Sequence, residues 1–189
     1  MARSNKRVEY VCKPAVMVAL IVVALVLHPT HGGRRDWFVA ALVLSMLGDI
    51  FLMLPRDLFV AGLASFLLAH LAYVVGFRQH GGSAVAWALA AAAVVVVDAT
   101  LARPVLGAVR RRHAELLVPV VAYLVVISAM ASAALATGIA LAIAGAVLFI
   151  ASDTLIAWNR FVGARPWMPL AIIVTYHVGQ SGLVLSLAR

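Results

Sequence analysis

The sequence predicts an all-α membrane protein, a polytopic helical bundle of seven transmembrane helices with its N-terminus in the cytoplasm. Of its 189 residues, 65% are hydrophobic and only 12% are charged, and the mean hydropathy is +1.08. A soluble domain is about half apolar and a quarter charged, so this composition excludes an ordinary soluble protein. The apolar residues also form long runs, with most of the Lys and Arg residues between them.

Each predicted helix corresponds to one apolar run, because a helix that spans a bilayer needs about 20 mostly apolar residues. The first run follows a polar start and has no small-residue cleavage site after it, so we expect no removable signal peptide. No linker divides the chain, which predicts one integral membrane domain over residues 1–189. In chain order, the predicted spans are residues 13–27, 37–54, 58–77, 84–101, 116–136, 138–157 and 167–187.

The breaks between the runs contain residues that are typical of turns. Gly and Pro interrupt helices, and they are concentrated in these breaks. The fifth and sixth spans are separated only by Thr137-Gly138, which predicts a very tight turn. The other turn-forming segments are residues 28–33, Pro55-Arg56-Asp57, Gly81-Gly82-Ser83 and residues 160–166.

The positive charges predict the orientation, since Lys and Arg accumulate on the cytoplasmic side of membrane proteins. Eleven of the 15 lie on the N-terminal side and four on the other. The net charge of +8 therefore indicates contact with anionic lipid headgroups rather than nucleic acid. The single cysteine, Cys12, excludes an internal disulfide and a cysteine-rich metal site. The predicted cytoplasmic charges are Arg3, Lys6, Arg7, Lys13, Arg56, Arg103, Arg110, Arg111, Arg112, Arg160 and Arg165.

Two aspartates inside the most apolar stretches, Asp49 and Asp153, are the main candidates for chemistry. A carboxylate near a bilayer centre costs roughly 3 kcal/mol or more, so such residues are usually functional or tightly partnered. Each follows a small residue, Gly48 or Ser152, which lets another helix or a ligand approach closely. With a rise of ~1.5 Å per residue, we expect Asp49 roughly 7 Å and Asp153 roughly 6 Å from the cytoplasmic ends of their helices.

Lys13 and Asp98 are expected at the same membrane level, so ionisable groups from four helices form a predicted cluster facing the cytoplasmic leaflet. A structural interpretation stays open for each of them. The two central aspartates could pair with Lys13, and Lys13 could anchor its helix in the interface. Asp98 lies near a helix end and close to Arg103, which favours an exposed surface pair.

Helical periodicity adds further candidates around the aspartates. His70 and Tyr73 share one stripe of the third predicted helix, and Tyr176 and Gln180 lie one turn apart on the seventh. Ser152 belongs to a stripe of small and aromatic residues beside Asp153. Packing or interhelical hydrogen bonds are the alternative roles for these side chains.

Several motifs follow one another along the chain: Cys12-Lys13-Pro14, Leu47-Gly48-Asp49, residues 62–73, Tyr123, residues 145–153 and Tyr176-His177-Val178-Gly179-Gln180. Together they resemble the YhhN-type lysoplasmalogenase family, in the family's order and over nearly the whole chain from Lys13. Singly each motif is weakly specific, and as a set they are fairly specific. Members of the family usually carry another hydrophobic helix before the Lys-Pro pair, whereas twelve residues precede Lys13 here.

The resemblance implies hydrolysis of the 1-alkenyl (vinyl ether) bond of lysoplasmalogens. The products would be a fatty aldehyde and glycerophosphoethanolamine or glycerophosphocholine. The resemblance also implies a lysophospholipid substrate in contact with membrane lipids, and an enzyme with no redox cofactor or obvious metal ion.

A vinyl ether reacts with acid, because protonation of its outer alkene carbon gives an oxocarbenium ion that water captures as a hemiacetal. The enzyme needs a proton donor and a negative group that stabilises the cation and deprotonates the water. Paired carboxyl groups do this in glycoside hydrolysis. In a buried pair, burial and a like-charged neighbour keep one carboxyl group protonated while the other ionises. We interpret Asp153 as the general acid and Asp49 as the ionised base, with the reverse assignment open.

The remaining candidates are expected to bind the substrate. Lys13, at the membrane boundary, is suited to bind the phosphate group as a point charge. Tyr123, Tyr176 and Gln180 would orient water or the glycerol backbone. The predicted substrate-binding set is completed by His70, Tyr73 and Ser152.

Two other function classes stay open. A metal-dependent lipid hydrolase of the alkaline ceramidase type needs a His/Asp zinc site, but only His70 and His177 lie within spans, at other depths than the aspartates. A proton-coupled small-molecule transporter is also compatible with intramembrane carboxylates. The Ala, Val and Arg bias indicates a GC-rich bacterial genome, so we expect a bacterial plasma (inner) membrane location with the site facing the cytoplasmic leaflet.

Overall fold

The structure, a computed structural model, describes residues 6–29, 32–81 and 83–189 of the chain. These residues form seven α-helices joined by short connections. Two 3₁₀ helices, Ala114–Leu116 and Ser186–Ala188, precede the fifth α-helix and follow the seventh. In chain order, the α-helices are α1 (Lys6–Val26), α2 (Gly32–Met53), α3 (Phe59–Arg78), α4 (Ala84–Arg112), α5 (Leu117–Ala136), α6 (Ala140–Phe161) and α7 (Met168–Leu185).

Most of these helices are long and apolar enough to cross a membrane. Helices α2, α3, α5, α6 and α7 meet this requirement singly, and α4 becomes a sixth span if its two bent halves are taken together. Helix α1 contains a shorter apolar stretch, Tyr10–Val26. The predicted all-α membrane class is confirmed for the described residues, and the chain is an integral membrane protein. Seven spans and a cytoplasmic N-terminus stay predictions.

Helices α1 and α2 begin several residues before the spans predicted for them, and α4 and α6 end several residues after theirs. Helix α4 continues to Arg112 rather than ending at 101, and it bends by 53° between Ala84–Val97 and Thr100–Arg112. Pro104 explains the bend, because its ring has no N–H and clashes with the carbonyl group four residues earlier. Helix α6 ends at Phe161 rather than at 157, so Asp153 lies eight residues before the end of its helix. At ~1.5 Å per residue, that depth is roughly 12 Å instead of the expected 6 Å.

Helices α6 and α7 approach each other closely through glycine residues. A Cβ atom at Gly145 on α6 would lie 2.7 Å from the Leu183 nitrogen and 2.8 Å from the Gly179 carbonyl oxygen on α7. Small residues permit such an approach of two backbones within a membrane bundle. Because α6 carries Asp153 and α7 carries Tyr176, this contact fixes the relative position of two candidate site residues.

The end of the bundle remote from Asp49 contains a buried arginine. Arg34 is only 1% exposed, although its position at the start of a predicted span indicated an aqueous charge. Its guanidinium group donates hydrogen bonds of 2.9 Å and 3.2 Å to the carbonyl oxygens of Arg189 and Ser186. The positive charge thereby stabilises the 3₁₀ helix that follows α7, because a cation is favourable near the C-terminal end of a helix. The predicted tight turn between α5 and α6 is confirmed, because Gly138 has a φ of +69° and three residues separate the two helices.

Substitution of Gly145 by Ala is expected to destabilise the bundle, because its methyl group would overlap the α7 backbone. Overpacking of this kind costs about 1–3 kcal/mol. For a chain of this length, that predicts a fall in Tm of roughly 2–10 °C in detergent. Gly163→Ala is the matched control, because a Cβ added there has no atom within 4 Å among the described residues, its chain neighbours apart. Equal Tm values for the two variants would contradict the tight α6–α7 contact.

Candidate active site

Asp49 is buried near the end of α2, where a tyrosine from α7 holds its carboxyl group. The Tyr176 hydroxyl donates a hydrogen bond of 2.7 Å to Asp49 Oδ2 and lies 3.5 Å from the sulfur of Met17. Asp49 is 6% exposed and Tyr176 is 4% exposed, so this pair is removed from bulk water. A carboxyl group in such a setting depends on hydrogen bonds from the protein.

Asp153, on α6, is held in the same way by a tyrosine from another helix. The hydroxyl group of Tyr123, on α5, donates a hydrogen bond to Asp153 Oδ2. His70, on α3, is fully buried, and its Nε2 atom lies 3.9 Å from the same oxygen. The other ring nitrogen of His70, Nδ1, lies 2.5 Å from the carbonyl oxygen of Phe66. Three helices therefore converge on Asp153.

A chain of aromatic rings connects the surroundings of the two aspartates. The ring of Phe66 contacts those of Phe149 and Tyr176 edge-on, at centroid distances of 6.4 Å and 6.0 Å, and Phe149 lies 5.4 Å from Tyr176. His70 lies 4.8 Å from Phe149, which joins the Asp153 side to this cluster. Gly48 leaves room for it, because a Cβ atom there would lie 2.6 Å from the Phe66 ring. The close approach predicted beside Asp49 is therefore confirmed.

Two cavities meet at this aromatic cluster. A polar cavity of about 660 Å³ is lined by Lys13, Asp49 and Tyr176, together with charged residues of the helix ends. An apolar cavity of about 100 Å³ lies between α3, α4, α5 and α6 and is lined by Tyr123 and Asp153 among aliphatic side chains. Four side chains line both cavities, namely Leu52, Phe59, Phe66 and Ile156.

The remaining predicted site residues lie behind the cavity walls. The Tyr73 hydroxyl donates a hydrogen bond of 2.5 Å to Gln180 Oε1 in the buried core, and Ser152 Oγ donates to the Ile172 carbonyl oxygen at 3.3 Å. Together with His70, these three residues line neither of the two cavities. The structure thus groups Lys13, Asp49 and Tyr176 in one cavity and Tyr123 with Asp153 in the other. The side chain of Asp98 lies outside the described part of the structure.

Several residues of the polar cavity were missed as site candidates. Arg56 and Arg160 counted only as orientation signals, and Asp57 only as a turn residue. Arg160 donates a hydrogen bond of 2.6 Å to Asp57 and lies 5.1 Å from the centre of the Phe59 ring. The Arg160 guanidinium group lowers the pKa of the Asp57 carboxyl group, which keeps this pair ionised at neutral pH. The signal in the sequence that could have identified these residues was the presence of charges of both signs at the ends of the predicted spans.

A metal site is the other arrangement that buried His and Asp side chains can form. Among the residues that the structure describes, no three His, Cys, Asp or Glu side chains lie close enough together to hold a metal ion. The donor set at the centre consists instead of carboxyl groups, tyrosine hydroxyl groups and one imidazole. Such groups are suited to moving protons.

The chain is similar to a known family and to curated proteins. The YhhN family model matches residues 8–187. A protein of Mycobacterium bovis named "Lysoplasmalogenase" is 37% identical over 176 residues, which are 88% of this chain and 65% of the relative. Proteins named "Lysoplasmalogenase TMEM86B" from Mus musculus and Homo sapiens are 33% and 34% identical, over 94% of this chain and 74% of each relative. The chain thus spans about two thirds of the mycobacterial relative's length. No solved structure matches it.

Double-mutant cycles are expected to detect the two tyrosine–aspartate pairs. Tyr176→Phe combined with Asp49→Asn, and Tyr123→Phe combined with Asp153→Asn, should give interaction energies of about 0.5–3 kcal/mol, because each pair shares a hydrogen bond. The unfolding free energy in mixed detergent micelles is the measurement. The crossed pairs, Tyr176 with Asp153 and Tyr123 with Asp49, are the control and should be additive to about 0.5 kcal/mol. Coupling in the crossed pairs alone would contradict the observed pairing.

Proposed function

Since the chain belongs to the YhhN family, we propose that it is a lysoplasmalogenase, which hydrolyses the vinyl ether bond of a lysoplasmalogen. The products are a fatty aldehyde and glycerophosphoethanolamine or glycerophosphocholine. The names of the bacterial and mammalian relatives support this reaction. The structural observation that supports it most is a carboxyl group on each side of one junction between a polar and an apolar cavity.

The two cavities match the two ends of a single-chain lysolipid. The polar cavity offers Lys13, Arg56 and Arg160 to a phosphate group, and its volume of about 660 Å³ accommodates a headgroup with glycerol. The apolar cavity accepts the part of the alkenyl chain next to the ether. With the lipid in this position, the vinyl ether bond lies at the shared wall beside Phe66, between Asp49 and Asp153.

The proposed reaction begins when Asp153 transfers its proton to the outer alkene carbon. The resulting oxocarbenium ion is stabilised by the Asp49 carboxylate, which then takes a proton from water as the water oxygen attacks the cationic carbon. In the collapse of the hemiacetal, Asp153 takes the hydroxyl proton and Asp49 returns its proton to the departing glycerol oxygen. One water molecule is consumed, and both carboxyl groups regain their initial states. General acid–base catalysis of this type contributes typically 10²–10⁴-fold.

The surrounding residues have supporting roles in this proposal. Tyr123 and Tyr176 orient the two carboxyl groups and the water, and Tyr73 donates a hydrogen bond to Gln180 in the core behind the cavities. Ser152 holds α6 against α7 through the Ile172 carbonyl group. We also propose that the site faces the cytoplasmic leaflet of a bacterial plasma membrane, because the cationic polar cavity lies at the bundle end that carries most Lys and Arg residues.

The purified protein in detergent is expected to release fatty aldehyde from a 1-alkenyl lysophospholipid. It should release none from the 1-acyl and saturated 1-alkyl analogues, which lack an enol ether that can be protonated at carbon. Asp49→Asn and Asp153→Asn should each lower kcat by roughly 10²-fold or more, since each removes one proton-transfer group. Aldehyde measured in a coupled dehydrogenase assay is the readout.

Folding of the variants is checked by Tm and by elution as a single species. If well-folded wild-type protein released no aldehyde from the alkenyl substrate, the proposed function would be wrong. If either aspartate variant kept full activity, the two-carboxyl mechanism would fail while the activity stood.

Lys13→Gln is expected to raise KM for the lysolipid with little change in kcat, because the phosphate group is bound equally in the ground and transition states. Loss of a charged hydrogen bond of about 1.5–3 kcal/mol predicts an increase of roughly ten- to 100-fold. Arg165→Gln is the control, since Arg165 carries a charge at the same bundle end and does not line the polar cavity. A lowered kcat at unchanged KM would contradict the binding role of Lys13.

A further inference from the structure

We propose, on the basis of the vinyl ether hydrolysis proposed above, that His70 is a positioning residue that keeps the reactive proton on Asp153 and so makes Asp153 the acid. His70 lies in neither cavity and does not reach the substrate. It acts through Asp153, whose carboxyl oxygen lies 3.9 Å from its Nε2 atom.

The tautomer of His70 follows from its first hydrogen bond. Nδ1 lies 2.5 Å from the Phe66 carbonyl oxygen, and a carbonyl oxygen can only accept, so Nδ1 carries a hydrogen and donates it. In a neutral imidazole, the second nitrogen then has a lone pair and no hydrogen. Nε2 is therefore an acceptor that lies 3.9 Å from Asp153 Oδ2, and it is buried with no hydrogen-bond partner among the residues that the structure describes.

An ionised Asp153 would be a poor neighbour for this nitrogen. A carboxylate offers only lone pairs, so it would oppose the lone pair of the fully buried Nε2 atom, where bulk solvent does not screen the repulsion. A protonated carboxyl group removes the conflict, because its O–H can donate to Nε2 after a small rotation about a soft terminal torsion. The proton stays on the carboxyl group, because a charged imidazolium ring at the fully buried position of His70 would be costly.

The other groups that face Asp153 are consistent with this assignment. Tyr123, from α5, donates to the carboxyl group and leaves its other positions available. The α4 residues at this cavity, Leu101, Ala102, Val105 and Leu106, are apolar. The charge of Asp49 on α2 also acts against a second negative charge at Asp153.

Asp49 has the opposite surroundings. It accepts a hydrogen bond from Tyr176 and lines the polar cavity together with Lys13, Arg56 and Arg160. Cations and a hydroxyl donor favour the ionised form of a carboxyl group. His70 thus distinguishes the two aspartates. Asp153 is assigned as the acid and Asp49 as the ionised base, which the sequence had left interchangeable.

Infrared spectroscopy of the purified full-length protein tests this inference without requiring turnover. A protonated carboxyl group has a C=O stretching band that a carboxylate lacks. In wild-type protein near neutral pH, we expect such a band, lost in Asp153→Asn and retained in Asp49→Asn. His70→Phe removes the acceptor while keeping a ring beside Phe149, so it should shift this band. His70→Gln restores an acceptor at the position of Nε2 and should return the band toward its wild-type frequency.

Aldehyde release gives the second readout. His70→Phe should lower kcat by roughly 10²-fold, the scale of a general-acid contribution, and His70→Gln should recover part of the loss. The inference is overturned if the band survives in Asp153→Asn, if it does not move in His70→Phe, or if His70→Phe keeps full kcat. Absence of aldehyde from wild-type protein would instead refute the proposed function, and the infrared comparison would still decide whether His70 bonds to Asp153.

Discussion

A carboxyl group that is removed from water must find its hydrogen bonds within the protein, and this requirement organises the centre of the bundle. Asp49 and Asp153 each receive a hydroxyl group from a different helix, α7 and α5 respectively. These two bonds tie α2 to α7 and α6 to α5. The glycine contact between α6 and α7 then sets the distance between the two tied pairs. Helix packing and the placement of the acidic groups therefore depend on each other.

The aromatic cluster has a complementary role, because it forms part of the wall between the two cavities that contain Asp49 and Asp153. Phe66 contacts Phe149 and Tyr176 and lines both cavities. Aromatic surfaces exclude water while they leave a negative π-face available to a positive charge. A short-lived cation beside Phe66 would therefore find no bulk water and a favourable electrostatic environment. The same ring lies in the wall between the cavity of Asp49 and the cavity of Asp153, so the two carboxyl groups have different surroundings.

The fold class, and the burial of two aspartates at the centre of the candidate site, could be predicted from the sequence for physical reasons. Apolar runs identify membrane helices because the bilayer accepts little else, and an aspartate inside such a run is conspicuous because it is costly. The bend of α4 was not predicted, since Pro104 lay beyond the expected end of the span. The proximity of His70 to Asp153 was not predicted, because it depends on rotamers and on which ring nitrogen bonds to a carbonyl group. Arg56 and Arg160 resembled ordinary interfacial charges in the sequence, because their position in the polar cavity depends on which helix ends lie side by side.

Under the proposed function, the junction between the two cavities also determines where the products go. Cleavage at the shared wall divides an amphiphile into an oily fragment and a water-soluble fragment, each already in the compartment that solvates it. The aldehyde remains on the side of α4 and α5, and the phosphodiester remains on the side of the charged helix ends. Neither fragment has to pass the other on leaving. Recombination of the two products would be discouraged, because the bilayer would dilute the aldehyde and the aqueous phase would dilute the phosphodiester.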